Sequence, residues 1–237
     1  MIFLDGKGAM GHMTSYIILG CLALFLVFIL TRFRPAATQM ITDNLYAIRC
    51  GMVNFYAVKT SVGVVLFDTG ISPILARHGL HKLGIAPSSV THVFLTHTDF
   101  DHTGGLAAFP QAKCYLSAAE EQMINGETAR RGFLRNGRLS SYRTLEDGET
   151  VVVGSTTIEM SLASGHTPGS AVYKIDERIL VVGDLLRLSK EGAILPFLRL
   201  MNMSHRQNIQ SVEAMRPVIE KTEYILSGHS GLYRPGA

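Results

Sequence analysis

The pattern of hydrophobic and polar positions divides the chain into an apolar segment near its start and a longer mixed region. Residues 16–30 read YIILGCLALFLVFIL and contain no charged side chain. From about residue 40 onward, short apolar and β-branched runs alternate with turn residues such as Gly, Ser and Pro. Runs of this length favour strands, with short helices between them, over long helices. The pattern therefore predicts two parts of different kinds.

The first half of the mixed region predicts an antiparallel meander, a helix and a buried strand. Three short runs form the meander: 45–50, 53–59 and 63–67. Ser72 and Pro73 are expected to begin a helix, because Ser is a frequent N-cap and Pro fits the first turn, and Gly84 is expected to end it. The apolar run 90–96 predicts a strand that leads into a polar loop.

The second half predicts more strands and two helices. Ser117 and Glu120 have the spacing of a capping box at the start of a helix. A second helix is expected from Ser204 to about Met215, where Pro217 stops it. Five runs are predicted strands: 150–153, 156–161, 171–175, 178–183 and 223–226. The order of meander, helices, meander, helix and strand suits two sheets packed face to face with helices outside, and not a doubly wound parallel sheet.

Composition narrows the class of protein. The 237 residues are 47% hydrophobic and 17% charged, which argues against a disordered chain because enough apolar surface is present to form a core. The net charge of +3 is too small to indicate a nucleic-acid partner. Three cysteines, Cys21, Cys50 and Cys114, have no ligand spacing and cannot all pair, which excludes a disulfide scaffold.

The apolar segment is interpreted as one transmembrane or signal-anchor helix over 14–33. Its length is near the lower limit of about 17 residues for a spanning helix, and arginine side chains can reach the interface. A cleaved signal peptide is the alternative, since its apolar core covers about 7 to 15 residues. Arg32 and Arg34 follow the segment, and the positive-inside rule then predicts a single-pass membrane protein whose C-terminal domain is cytoplasmic.

The chain is thus expected to contain four regions. They are a leader over 1–13, the helix over 14–33, a linker over 34–39 and one domain over 40–237. Gly11, His12 and Met13 resemble the junction left by a cloning site, so an alternative origin of the leader is the expression vector. A small-molecule substrate and the membrane are the expected partners, and the sequence does not indicate an oligomeric state.

Candidate metal ligands cluster directly after the predicted strand 90–96. Residues 96–105 read THTDFDHTGG and place four ligand types on one short loop: His97, Asp99, Asp101 and His102. Because a strand fixes the start of the loop and glycines let a helix begin close by, these side chains can converge on a metal ion. Three further ligand types follow later strands: His166, Asp184 and His229.

This arrangement resembles the metallo-β-lactamase superfamily, whose hallmark is H-x-H-x-D-H after a strand, followed by a His, an Asp and a last His. The resemblance covers about residues 40–235 and implies an α+β fold, the four-layer αβ/βα sandwich. It assigns His97 and His166 to a first metal site, with Asp184 bridging to a second. The second site contains Asp101, His102 and His229. Asp68 matches a supporting aspartate of the family near the metals.

One position departs from the hallmark, because its second histidine is Asp99 here. A carboxylate still binds zinc, but an oxygen donor in place of imidazole suits manganese or iron better than a third nitrogen does. All seven ligand types are nevertheless expected to bind metal. The predicted cofactors are therefore two divalent metal ions, with zinc as the first choice and manganese or iron as alternatives.

The resemblance implies a membrane-anchored, metal-dependent hydrolase. A metal-bridged hydroxide would attack an ester, lactone, thioester, amide or phosphoester, and Asp101 is the predicted catalytic residue that handles the proton. Asp99 also motivates an alternative, a mononuclear-iron oxidoreductase of the persulfide dioxygenase type. A degenerate binding module is the third possibility.

Two other segments leave alternatives open. Five arginines lie in the middle of the chain, where a solvated basic face is preferred by about two to one over a site that attracts an anionic substrate: Arg130, Arg131, Arg135, Arg138 and Arg143. The apolar segment 194–201 either lines the mouth of the site or rests on a bilayer, and a core helix is an equal alternative.

Overall fold

The structure is a computed structural model that describes residues 6–189 and 192–235. The chain divides into two compact units, Met1–Arg34 and Pro35–Ala237. Residues 1–5 of the predicted leader therefore lie outside the described residues. The second unit contains all seven candidate ligands.

In the part of the first unit that the structure describes, residues 6–34, there is one helix, α1 (Gly6–Arg32). Its described apolar side chains are exposed, for example Tyr16 and Leu24. Nowhere in residues 6–189 and 192–235 is there a helix of the length and apolar character needed to span a membrane. The transmembrane helix predicted over 14–33 is therefore not supported. Its fully apolar run, 16–30, is shorter than the roughly 20 residues that a spanning helix needs.

The first sheet of the second unit has seven strands that lie side by side in chain order. They are β1 (Gln39–Met40), β2 (Leu45–Cys50), β3 (Val53–Thr60), β4 (Gly63–Phe67), β5 (Val90–Phe94), β6 (Lys113–Ser117) and β7 (Arg143–Leu145). Strands β1 to β4 are antiparallel, because tight turns at Gly51 and Ser61 connect β2, β3 and β4. Strands β4 to β7 are parallel, and helical segments connect them.

Three helices belong to this half of the unit. They are α2 (Pro73–Lys82), α3 (Phe100–Thr103) and α4 (Glu121–Ile124), with single 3-10 turns at Pro87–Ser89, Leu106–Ala108 and Ala118–Glu120. The predicted start of α2 is confirmed, with Ser72 at the N-cap and Pro73 at the first helical position. Gly84 follows the helix with φ of +67°, a conformation that glycine adopts without strain.

The second sheet has six strands in the order β15-β14-β11-β10-β9-β8. The strands and the last helix of this half are β8 (Thr150–Val153), β9 (Thr156–Leu162), β10 (Ala171–Ile175), β11 (Ile179–Gly183), α5 (His205–Ile219), β14 (Tyr224–Ser227) and β15 (Gly231–Tyr233). A separate hairpin consists of β12 (Leu186–Leu188) and β13 (Ile194–Pro196), and a 3-10 turn covers Arg199–Met201. Among the described strands of this sheet, only β11 and β14 pair in parallel, with α5 on the chain between them.

The two sheets enclose the main core. Aromatic rings of both sheets meet there: Phe94 lies 5.6 Å from Phe67 and 5.4 Å from Tyr173, measured between ring centroids. Ala76 and Leu80 of α2 pack on the outer face of the first sheet, and the apolar face of α5 packs on the outer face of the second. The predicted αβ/βα sandwich is confirmed.

Two helix predictions differ from the structure. α5 runs on past Pro217 to Ile219. Because the proline lies in the last turn, its missing N–H removes only one backbone hydrogen bond. This bond is close to the end of the helix, where several carbonyl groups have no intrahelical partner in any case. Ser117 accepts a hydrogen bond from the Glu120 amide at 3.2 Å, as a capping box requires. The Glu120 carboxylate points elsewhere, however, and the expected helix shrinks to a 3-10 turn followed by α4.

Candidate metal centre

The seven predicted ligands meet at one edge of the sandwich, although the two sheets supply them separately. The four residues of the THTDFDH loop follow β5 of the first sheet. His166, Asp184 and His229 follow β9, β11 and β14 of the second sheet. The two sheets are therefore both needed to assemble the cluster.

Short distances join the side chains into one cluster. The Nε2 atom of His229 lies 3.1 Å from Asp101 and 3.3 Å from Asp184, measured to Oδ2 of each carboxylate. His166 Nε2 lies 3.4 Å from Oδ2 of Asp184, and His102 Nε2 lies 3.5 Å from its Oδ1. Three overlapping sets have ligand atoms within 4.8 Å of one another: His97, Asp99 and His166; His97, His102 and Asp184; and Asp101, His102 and His229.

Each histidine is oriented by a hydrogen bond at Nδ1, so that Nε2 faces the cluster. The partners of these Nδ1 atoms are Thr96 Oγ1 for His97, Asp68 Oδ2 for His102, Asn202 Oδ1 for His166 and the Met52 carbonyl for His229. Groups of this kind behind a histidine fix the ring and its tautomer in metal sites. The imidazoles are therefore arranged to offer Nε2 lone pairs.

Three buried atoms of the cluster have no hydrogen-bond partner: His97 Nε2, His102 Nε2 and Asp184 Oδ1. Buried polar atoms are almost always paired, because leaving one unpaired costs about 1–3 kcal/mol. These three atoms belong to the same set of potential ligands within 4.8 Å. Imidazole nitrogen and carboxylate oxygen are also ligands that zinc and similar ions prefer. The residues therefore fit a divalent metal ion.

The charges of the cluster agree with a cation site. Burial alone would raise the pKa of Asp101, but His102 and His229 lower it to about 2. Burial likewise opposes ionisation of Asp184, yet three histidines hold its pKa well below the usual value. Burial would lower the pKa of His229, but Asp184 and Asp101 raise it to about 10. A proton and a metal ion therefore compete for His229 Nε2.

Asp68 supports the cluster from behind His102. Its Oδ1 accepts from the Thr96 amide and its Oδ2 from the Thr96 hydroxyl, both at 2.8 Å. Oδ2 also lies 2.8 Å from His102 Nδ1. The residue has φ of +62°, a left-handed conformation that is uncommon for residues other than glycine. The backbone is therefore held in an unfavourable conformation at the point where this carboxylate meets the ligand.

Gly228 gives the cluster room. A Cβ atom at this position would lie 2.7 Å from Asp184 Oδ1 and 2.8 Å from His102 Cε1. Both distances are shorter than a carbon atom can adopt without displacing its neighbour. Only glycine therefore lets the β14–β15 turn approach the ligands this closely.

Glu120 is a buried residue of the site that the sequence did not reveal. Its Oε1 accepts from the amide and hydroxyl of Thr98, and its Oε2 accepts from the Thr167 hydroxyl and the Gly169 amide. Burial raises its pKa despite these donors. Thr98 follows His97, and Thr167 follows His166, so one carboxylate ties together two ligand-bearing loops. The capping-box spacing gave no sign of this role.

Arg130 is the second residue that sequence reasoning misplaced. A solvated basic face was preferred for the five mid-chain arginines, and Arg131, Arg135, Arg138 and Arg143 are indeed exposed. The side chain of Arg130 is only 16% exposed and pairs with Asp99, whose side chain is 17% exposed. Residues 97–102 and 130 are far apart in the chain, and no sequence signal links them.

The apolar segment 194–201 lines the cluster and is not a core helix. It forms β13, a short connection and a 3-10 turn. Phe197 is buried, with its ring centroid 5.0 Å from that of His166 and 5.7 Å from that of His229. The predicted alternative in which this segment borders the site is therefore confirmed for Phe197.

Comparison with known proteins identifies several relatives. A probable metallo-hydrolase of Mycobacterium tuberculosis is 31% identical over 109 residues, which cover 32% of this chain and 35% of that protein. A hydroxyacylglutathione hydrolase of Synechococcus sp. is 29% identical over 157 residues, which cover 64% of this chain and 54% of that protein. The chain thus spans between about a third and about half of these curated relatives.

Solved structures share the fold. A metallo-β-lactamase family protein of Thermus thermophilus superposes with a TM-score of 0.65 at 21% identity, over 83% of this chain and 76% of that chain. A B3 metallo-β-lactamase described as having an active-site glutamic acid gives a TM-score of 0.64 at 21% identity, over 86% and 85%. The sequence pattern of the metallo-β-lactamase superfamily matches residues 48–229. Because this match runs over most of the 237 residues, the chain belongs to the metallo-β-lactamase superfamily.

Proposed function

We propose that this protein is a metal-dependent hydrolase. The observation that carries the proposal is the set of three buried, unpartnered atoms on His97, His102 and Asp184. Relatives named metallo-hydrolase and hydroxyacylglutathione hydrolase support the same reaction class. A divalent ion bound in the cluster supplies Lewis acidity and lowers the pKa of a water molecule toward 7.

The candidate metal ligands are the seven ligand types of the cluster. Zinc is the proposed ion, because imidazole nitrogen and carboxylate oxygen are both ligands that zinc accepts, and Asp101, His102, Asp184 and His229 offer these donors. Manganese and iron are the alternatives, as before. The remaining residues are His97, Asp99 and His166. Two of these, Asp99 and His166, already contact Arg130.

Asp101 is proposed to orient the attacking water and to accept its proton. Its side chain is 36% exposed, while the other ligands of its set, His102 and His229, are buried. Its carboxylate can therefore meet both solvent and a substrate. The ring of Phe197 lies beside the rings of His166 and His229, so an apolar surface borders these two imidazoles.

The proposed substrates are carbonyl or phosphoryl compounds that water can cleave: esters, lactones, thioesters, amides and phosphoesters. Thioesters come first, because one relative is named for the hydrolysis of a glutathione thioester. Membrane anchoring, which the sequence predicts for 14–33, is not required for this proposal.

The test is hydrolysis by the full-length, zinc-loaded protein against a panel of these five compound classes. At least one class should be cleaved, and Asp101→Ala should reduce kcat/KM for it by about 100-fold or more, the usual effect of losing a group that transfers a proton. Asp43→Ala is the matched control, because Asp43 is exposed and lies outside the cluster. Equal activity of the Asp101→Ala variant and the wild type would contradict the assignment.

The mononuclear-iron oxidoreductase loses the observation that motivated it. Asp99 motivated that alternative as an oxygen ligand, but its two carboxylate oxygens contact the guanidinium of Arg130. The degenerate binding module is not favoured either, since the structure brings all seven ligand types together.

A further inference from the structure

A tight turn directs Arg130 into the cluster. The Arg130 amide donates to the Leu134 carbonyl at 2.8 Å, and the Leu134 amide donates back to Arg130 at 2.9 Å. Arg131, at the next position, has φ of +51°, and its guanidinium donates to the Leu200 carbonyl. The neighbouring arginines therefore point in different directions, and only Arg130 reaches the predicted metal ligands.

Every nitrogen of the Arg130 guanidinium has a partner. Nε donates to Asp99 Oδ1 at 2.8 Å, and Nη2 lies 2.5 Å from Asp99 Oδ2. Nη2 also lies 2.8 Å from His166 Nε2, and Nη1 donates to the Met201 carbonyl at 2.7 Å. Such a fork on a carboxylate is a strong, directional interaction that a lysine cannot reproduce.

The hydrogen bonds around His166 show which of its nitrogens is unprotonated. Asn202 donates through Nδ2 to the Phe197 carbonyl at 3.3 Å, so its Oδ1 faces His166. This oxygen can only accept, and it therefore takes the proton on His166 Nδ1 at 3.2 Å. Nε2 is then left with a lone pair, which faces Arg130 Nη2 at 2.8 Å; Asp99 Oδ2 and Asp184 Oδ2 also lie near this atom, at 3.2 Å and 3.4 Å. That lone pair is the one a metal ion would need.

The cluster is thus divided into two parts. Asp99 and His166 have Arg130 as a partner, whereas His97 Nε2, His102 Nε2 and Asp184 Oδ1 have no hydrogen-bond partner. The unpaired atoms of His102 and Asp184 need a cation among the ligands that do not contact Arg130. His97 Nε2 lies 3.5 Å from Asp99 Oδ2 and belongs to the ligand sets on both sides. The side of Asp99 already contains a positive charge.

The balance of charge favours the same division. Three carboxylates of the ligand set face the cluster: Asp99, Asp101 and Asp184. Asp68 adds a further carboxylate behind His102. The Arg130 guanidinium already offsets one of these charges, on the side of Asp99. A second divalent ion beside the guanidinium would place like charges together in a buried site, which is strongly unfavourable.

We propose that Arg130, and not a second metal ion, is the cation of the first site. The chain then binds one divalent ion, in the part of the cluster that contains His102 and Asp184. This inference rests on the proposed function, because it assumes that the cluster binds metal. It replaces the two ions that the sequence predicts with one ion and one guanidinium.

Metal stoichiometry tests the proposal without an activity assay. The full-length protein is titrated with Zn²⁺ by isothermal calorimetry, and the metal that survives dialysis is counted by elemental analysis. The wild type should retain one equivalent. Arg130→Ala frees Asp99 and His166, and it should retain two equivalents. Arg131→Ala is the matched control and should still retain one equivalent.

The possible results separate this inference from the proposed function. Two tightly bound equivalents in the wild type, or one in both the wild type and Arg130→Ala, would overturn the inference and leave the hydrolase proposal intact. No bound zinc in the wild type would overturn the proposed function itself. If circular dichroism shows that Arg130→Ala is unfolded, Arg130→Met takes its place. Methionine is a flexible apolar side chain that fills much of the space of the arginine but has neither its charge nor its donors, so the variant should still retain two equivalents.

Discussion

Asp68 has an unusual backbone conformation and contacts the candidate ligand His102. Its charge can be removed without changing that conformation. Asparagine tolerates positive φ as well as aspartate does, so Asp68→Asn should keep the turn at φ +62°. It removes the negative charge behind His102 Nδ1. We expect zinc affinity to fall by about 10-fold with little change in stability, because groups behind a histidine ligand tune its basicity.

Competition against a chromophoric chelator measures this affinity. Asp176→Asn is the control, because Asp176 also has positive φ, +47°, and accepts a backbone hydrogen bond from Thr157 outside the cluster. If Asp68→Asn and Asp176→Asn both bind zinc as the wild type does, then Asp68 holds the turn and does not influence the metal.

Single residues also show how far the sequence alone leads. The seven ligand types could be located because they follow predicted strands and match a family hallmark in order and spacing. Arg130 and Glu120 could not, because their roles depend on partners that are distant in the chain: Asp99 for the first, and Thr98 and Thr167 for the second. The sequence shows which residues are polar, but it does not show which distant residues they contact.

At the level of elements, Glu120 connects the two ligand-bearing loops that contain Thr98 and Thr167. This connection should contribute measurably to the free energy of unfolding. Glu120→Ala leaves four donors, on Thr98, Thr167 and Gly169, without their buried acceptor. We expect the free energy of unfolding to fall by about 3 kcal/mol, as for other losses of a buried acceptor. Urea denaturation measures this change. Glu127→Ala, at an exposed position, should shift the midpoint little, and an equal shift in both variants would show that Glu120 is not a structural link.

Strands were predicted correctly where the local sequence pattern determines them. Strands were missed where pairing with residues distant in the chain determines them. The strand bounds of β2, β4, β8 and β10 were predicted correctly, since alternating or apolar runs end at turn residues there. Strands β6, β7, β12, β13 and β15 were not predicted. Each of these strands depends on a neighbouring strand for its hydrogen bonds, as does the two-residue β1, which was not predicted either. α5 was ended too early, because a proline in a last turn costs less than one in mid-helix.

For the whole molecule, the division of the ligands between two sheets couples metal binding to stability. An ion held jointly by residues after β5 and residues after β11 and β14 binds only when both sheets are in place. Saturation at about 1,000 times Kd would add about 4 kcal/mol to the free energy of unfolding. For a chain of this size, that corresponds to a rise in Tm of roughly 8–16 °C.

Calorimetry of the protein before and after treatment with a chelator measures this difference, and added zinc should restore the higher Tm. His229→Ala lacks one proposed ligand from the second sheet, so its Tm should respond much less to zinc. A wild-type Tm that is insensitive to both chelator and zinc would mean that the cluster does not join the sheets through a metal ion.

Because the two sheets supply the ligands separately, the ribosome synthesises the ligands at different times. His97 and His229 are separated by about 130 residues, so at 5–20 residues per second the ribosome adds them roughly 7 to 25 seconds apart. During this interval the nascent chain has the first loop of ligands but lacks the strand pair β11–β14, which positions Asp184 and His229. The early loop alone offers a metal only some of its ligands. Stable loading is therefore a late event, and a cell that makes this protein must keep the metal accessible after the second sheet has formed.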